Sequence, residues 1–158
     1  VALSLADIYK AEVILYHVIE LYGNPVYEDR SSDPGKSDEE NTYEALVESV
    51  EDYLSSGNLK NIRINRGETG YEDQFVISDG TSMHTVNVRT VIEKSVTAHV
   101  GIENYAGDHA DIVVMATHGY SGWAHLFLGS TTEKVARHLD IPVVTVKPDS
   151  SRLKKRQH

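Results

Sequence analysis

The sequence predicts an α/β protein: a doubly wound, Rossmann-like parallel sheet with flanking helices. Three observations carry that prediction. Three short runs, Val13–Ile19, Asp111–Ala116 and Pro142–Val146, are dominated by apolar, β-branched residues without polar alternation. Strands buried on both faces of a parallel sheet have that composition. Between the runs, apolar residues recur at the spacing of amphipathic helices. Strand–helix alternation of this kind builds a parallel sheet with right-handed crossovers. The 158 residues are enough for one ordinary domain, read as residues 1–148. That domain carries an acidic loop near 23–40 and an insertion near 57–85, and a basic, flexible tail follows at 149–158.

Each element has its own signal. Leu5, Ile8 and Tyr9 predict a helix at the start, and Val13–Ile19 is the strand after it. Gly23, Pro25, Pro34 and Gly35 among serines mark a surface loop. The stretch from Tyr27 to Asp52 holds ten acidic residues against Arg30 and Lys36, a charge of −8. From Asn41 to Ser56 the apolar residues Tyr43, Leu46, Val47, Val50 and Leu54 form one helical stripe, with Ser37 and Glu40 placed as a capping box. The pattern breaks between Gly57 and Thr85, where short stretches around Ile62–Ile64 and Phe75–Ile77 read as an inserted hairpin or long loop. Val86–Ile92 alternates more and reads as a strand nearer a sheet edge. Ala98, Ile102, Tyr105 and Ala106 form the next helical stripe, and Val135, Ala136 and Leu139 the last, entered through Gly129 and Ser130.

Composition removes several functions. There are 15 Lys and Arg against 24 Asp and Glu, a net charge of −9, and nucleic-acid binding needs a basic surface. Without cysteine, disulfides, thiolate nucleophiles and Cys-based zinc sites are excluded. No apolar run approaches a membrane span and the start shows no signal peptide, so a soluble, cytoplasmic protein is expected. There is no G-x-x-x-x-G-K-[ST] and no G-x-G-x-x-G. Gly119-Tyr120-Ser121-Gly122 places its second glycine one position too early for a hydrolase elbow. His118 and His125 read as ordinary histidines rather than metal ligands, and no nucleophile–base–acid set stands out. No catalytic residue and no protein metal site is therefore expected.

The segment from Asp111 to Lys147 carries the chemistry. A buried strand ends in Ala116-Thr117-His118-Gly119, and Gly129-Ser130-Thr131-Thr132-Glu133 opens a helix. In open α/β sheets ligands sit beyond the carboxyl ends of the strands. The amides and dipole of a helix start suit an anion such as phosphate, and Ser130 and Thr131 add hydroxyl donors. Two readings without a ligand stand beside this one. Gly129 serves a tight turn, and Ser130-x-x-Glu133 is itself a capping box.

Ala116-Thr117-His118-Gly119, nine residues, then Gly129-Ser130 resembles the nucleotide-binding motif of the universal stress protein family, with Ala116 in place of the first glycine. Ser121-Gly122, Leu126-Phe127-Leu128, Glu133-Lys134-Val135 and Ile141-Pro142-Val143-Val144 resemble the family too, as do Leu15-Tyr16-His17-Val18 and Ile102–Ala106. The resemblance implies that ATP, ADP or AMP lies at the carboxyl edge of the sheet. Val18 and Met115 would then meet the adenine, and Ala116 and Gly119 would bring backbone to the ribose and phosphates. Gly129, Ser130 and Thr131 would hold the phosphates, with His118 and Thr132 beside them. Magnesium or manganese would come with the nucleotide, held through phosphate oxygens.

The family's first central strand, ending in an Asp, has no counterpart before Val1, so a fragment, a processed form or a replacement strand is expected. Phe75–Thr81 faintly resembles such a replacement. The resemblance further implies a homodimer through antiparallel pairing of the last strand, Pro142 to Lys147, which at a sheet edge would otherwise leave backbone groups unpaired. The leading expectation is a non-enzymatic, nucleotide-dependent stress sensor or regulator. The alternatives are a homodimeric interaction module without nucleotide and, more weakly, a slow ATP hydrolase.

Overall fold

The computed structural model describes residues 1–22, 33–55, 61–68, 71–78, 80–117 and 129–147. The chain divides into two compact units, Val1–Ser95 and Val96–His158. No helix among the described residues is long and apolar enough to cross a membrane.

The first unit is a four-stranded sheet with two helices. Helix α1 (Ala2–Tyr9) leads into strand β1 (Val13–Glu20), and α2 (Asp38–Tyr53) precedes β2 (Ile62–Arg66), β3 (Glu72–Ser78) and β4 (Met83–Ser95). The strand order is β1-β4-β3-β2. Strand β1 runs parallel to β4, from Val13↔Val88 to Glu20↔Ser95. Strands β2 and β3 form an antiparallel hairpin that continues antiparallel onto β4. Within the stretch near 57–85, β2 and β3 thus form a hairpin on the sheet. Because β3 is antiparallel to both neighbours, Phe75–Thr81 does not replace a central parallel strand.

Strand β4 is interior rather than near an edge, contrary to the expectation from its alternation. The alternation has a different cause, because only one face of β4 is deeply buried. Val86, Val88 and Thr90 are 2%, 5% and 4% exposed, whereas Thr85 and Asn87 between them are exposed. The core gathers Ala6, Val86 and Val88, with Leu3, Val13, Phe75 and Ile77 packed against them. Strand β1, whose composition suits burial on both faces, has β4 as its neighbour among the described strands, lies at the end of the strand order, and is half-buried along most of its length.

Helix α1 turns a different face inward than Leu5, Ile8 and Tyr9 suggested. Ala6 is buried, and Ile8 and Tyr9 are 70% and 76% exposed. The helix stops at Lys10, whose φ of 53° is left-handed and whose amide bonds the Ala6 carbonyl, a cap geometry in which glycine is usual. Helix α2 follows its sequence signals closely. The Ser37 side chain accepts from the Glu40 amide and the Glu40 side chain accepts from the Ser37 amide, so the capping box is complete. Asp38, Glu39 and Glu40 occupy its first turn, where the helix dipole favours negative charge. Lys94 at the end of β4 reaches Asp38 and Glu39 at 3.0 and 3.2 Å.

The second unit is smaller. Helix α3 (Ala98–His109) leads to β5 (Val113–Ala116), and α4 (Ser130–His138) leads to β6 (Val143–Val146). The two strands pair in parallel, from Val113↔Val143 to Ala116↔Val146. Such a pairing requires a crossover, and α4 supplies it. On α4 the inward stripe is Thr132 and Val135, which are 5% and 0% exposed, continued by half-buried Leu139; Ala136 is exposed. The spacing of i, i+3 and i+7 is helical, but the stripe begins on a threonine that apolar patterning passes over. Helices α3 and α4 are also joined by His138 Nδ1 and Glu103 Oε1 at 3.1 Å.

Candidate functional site

The carboxyl end of β5 and the amino end of α4 meet. The Gly129 amide donates to the Thr117 carbonyl at 2.7 Å. The Thr132 hydroxyl donates to the Ala116 carbonyl at 2.9 Å. On the sheet side, the Thr117 amide donates to the Val146 carbonyl at 2.9 Å, so the strand end is itself fixed. A hydroxyl buried as deeply as Thr132 needs a partner, and the Ala116 carbonyl fills that need.

Gly129 is the N-cap of α4, with φ −58° and ψ 148°, and no side chain caps this end. Ser130 is therefore the first helical residue rather than the cap, and Ser130-x-x-Glu133 forms no capping box here. The first intrahelical bond runs from the Glu133 amide to the Gly129 carbonyl at 2.8 Å. An α-helix leaves the amides before that bond, those of Ser130, Thr131 and Thr132, without a partner in its own ladder. Ser130 is exposed and Thr131 half-buried. Glu133, the acidic residue of this turn, pairs with Arg137 at 2.7 Å.

The backbone angles of Gly129 are ones any residue adopts, so no left-handed turn explains a glycine there. The same holds at Ala116, where the resemblance puts a glycine. Lys10 is the non-glycine residue with positive φ among the described residues, and Ala116 sits in ordinary strand conformation at the end of β5. An alanine is therefore free of backbone strain at that position.

The structure brings Ala116, Gly129 and Thr132 together through the Thr132–Ala116 bond and the helix start, with Ser130 and Thr131 in the same turn. Met115 is half-buried one residue before Ala116, in register with Thr145. Val18 belongs to the first unit, near the carboxyl end of β1 and in register with Glu93. His118 and Gly119 lie outside the described residues, as do Trp123 and His125. Sequence reasoning missed Thr117, whose backbone ties β5 to both β6 and Gly129. A carbonyl leaves no side-chain signal.

This is an α/β architecture with a glycine-capped helix start at the end of a parallel strand. The sequence matches the universal stress protein family over residues 1–147, and the chain belongs to that family, which makes it a stress-response protein. It is similar to universal stress protein Slr1230 of Synechocystis sp., with 34% identity over 84 residues. That match covers 50% of this chain and 29% of the relative, so the chain spans well under half of that protein's length.

Proposed function

We propose that this protein binds an adenine nucleotide, ATP in the first instance, and acts as a nucleotide-dependent stress regulator rather than a turnover enzyme. The observation that carries the reading is the start of α4. Three consecutive amides precede the first intrahelical bond and all three residues carry hydroxyl side chains, that of Thr132 being engaged by the Ala116 carbonyl, beside a glycine whose backbone angles do not call for glycine. A Gly at such a place is explained by close approach of a ligand to the backbone, and phosphate is the ligand that a helix start suits.

The residues fit a nucleotide's phosphates. Gly129, Ser130 and Thr131 would hold them by amides and hydroxyls, and the Glu133 charge is offset by Arg137. Ala116 and Gly119 would carry the sugar side, with His118 and Thr132 beside the phosphates and Met115 toward the base. Magnesium or manganese would enter with the nucleotide and be held mainly through phosphate oxygens. The cytoplasm, where these nucleotides are abundant, is the compartment this reading needs.

We further propose a homodimer through the strand from Pro142 to Lys147. Among the described residues strand β6 carries one ladder, to β5, and an apolar strand edge is a template for a second chain.

Calorimetric titration with Mg-ATP tests the site. Micromolar binding is expected, weakened about tenfold in Ser130→Ala by loss of one charge-assisted hydrogen bond and abolished in Gly129→Val. Absence of heat in the native protein would move the function to a nucleotide-free interaction module. Phosphate release that disappears with Ser130→Ala would move it to a slow hydrolase. For the dimer, Val144→Pro removes a ladder donor, and light scattering should then report a monomer.

A further inference from the structure

We propose that Ser82, His84 and Asp7 form a nucleophilic relay through which Ser82 takes an acyl group from an activated ester of a short-chain acid. The proposal is independent of the nucleotide site. Ser82 Oγ lies 2.8 Å from His84 Nε2, and His84 Nδ1 lies 3.1 Å from Asp7 Oδ1. A hydroxyl on one imidazole nitrogen and a carboxylate on the other is the arrangement that activates a serine, and both distances are within hydrogen-bond reach. With Nδ1–H donated to Asp7, Nε2 is left as the acceptor of the Ser82 proton.

The fold places these groups for reasons of its own. Ser82, His84, Val86 and Val88 follow the period-two alternation that leads into β4, so His84 continues the face that packs on α1 through Ala6. Asp7 follows Ala6 on that helix. Its carboxylate also receives Lys10 Nζ at 3.1 Å. The hydrogen bond from Lys10, and more weakly the charge of His84, hold the Asp7 carboxyl below the usual carboxylate range despite opposing desolvation, so it is ionised whenever His84 needs an acceptor. His84 and Asp7 side chains are 33% and 26% exposed, whereas Ser82 is open to solvent. A small, reactive acyl donor needs no deep pocket to reach it.

In the acylation step Ser82 Oγ bonds to the ester carbonyl carbon and its proton passes to His84 Nε2. The carbonyl–oxygen bond to the alcohol breaks, and the departing alkoxide takes that proton. Water then reverses the roles: it gives a proton to His84, its oxygen bonds the acyl carbon, and Ser82 recovers its proton as the carboxylic acid leaves.

The test is p-nitrophenyl acetate with the full chain, followed by peptide mapping, and in parallel a fluorophosphonate that labels activated serines. One acetyl group per chain on Ser82 is expected in an initial burst, with fluorophosphonate on the same residue. Ser82→Ala should lose both, with an unchanged melting curve because the side chain is exposed. His84→Gln should slow acylation about 100-fold or more, the range for a general base, and Asp7→Asn at least about tenfold. A burst of equal size in Ser82→Ala, with acetyl on lysines alone, would overturn the proposal. Equal fluorophosphonate labelling of native protein and His84→Gln would overturn it too.

Discussion

Removing the Tyr43 hydroxyl should destabilise the first unit, and the structure supplies the size of the effect. Asp73 on β3 is 6% exposed. Its Oδ2 accepts from the Tyr43 hydroxyl of α2 at 3.0 Å, and its Oδ1 accepts from the Gly67 amide at a longer 3.4 Å. Burial, with the Asp73 hydrogen bond added, pushes the Tyr43 phenol up to about 12, so it remains a donor throughout the neutral range. Among the described residues, Tyr43→Phe leaves the carboxylate with the long amide contact alone. A hydrogen bond to a charged group contributes about 1.5–3 kcal/mol.

A cavity of about 20 Å³ beside Asp73, lined also by Leu15, Val47, Phe75 and Thr90, has room for about one water. A water there would hold the loss toward the lower figure. At roughly 2–4 °C per kcal/mol for a chain of this size, Tm should fall by roughly 3–12 °C. Thermal and urea melts followed by circular dichroism read the loss. In an Asp73→Leu background the same Tyr43→Phe change should cost under about 0.5 kcal/mol, since no buried carboxylate remains to be left unpaired. A single-variant loss below that figure, or no coupling in the double-mutant cycle, would refute the reasoning.

Three further predictions concern the backbone and pH. A Cβ at Gly67 would be driven into the Glu72 backbone carbonyl, which cannot yield without disturbing the β2–β3 ladder that ends at Arg66↔Asp73. Gly67→Ala should therefore lose more than about 2 kcal/mol by denaturant titration, within the range of overpacking. Gly107→Ala on α3, with nothing within 4 Å of the new Cβ, should instead gain about 0.5–1 kcal/mol. Burial pushes the His17 imidazole below its ordinary value. The unfolded chain then binds the proton more readily, so this contribution is present above about pH 6.5 and is lost as pH falls toward the lowered folded value. The Tm of His17→Gln should accordingly fall less than that of the native protein between neutral pH and about pH 5.5, and parallel curves would reject the assignment.

The sequence made the alternation of strands and helices legible because apolar runs and helical stripes are local patterns. It also disclosed the α2 capping box, whose two members are three residues apart. What it concealed depends on partners distant in the chain. Strand β4 looked like an edge because alternation registers one buried face, and one-sided burial is equally found in the middle of a sheet whose other face is open. The inward face of α1 was misjudged because small Ala6 packs against β4 while the larger Ile8 and Tyr9 face outward. On α4 the buried position next to Val135 is Thr132, which earns burial through a hydrogen bond to Ala116 that no hydropathy pattern contains. Asp7 and His84 are 77 positions apart, and only the contact of α1 with β4 makes them neighbours.

The candidate site separates into groups that hold the fold and groups left for a ligand, and this division decides which substitutions are informative. The Gly129 amide and the Thr132 hydroxyl are already engaged by Thr117 and Ala116, so between them they fix where β5 ends against where α4 begins. Removing the buried Thr132 hydroxyl would break its bond to the Ala116 carbonyl and loosen that junction whether or not a nucleotide binds. Ser130 is different. It is exposed, its hydroxyl has no capping role, and its amide precedes the first intrahelical bond, so the fold asks little of its side chain. A loss of Mg-ATP affinity in Ser130→Ala with an unchanged melting temperature would therefore report on ligand contact alone, whereas the same loss in Thr132→Val would mix binding with the integrity of the helix start.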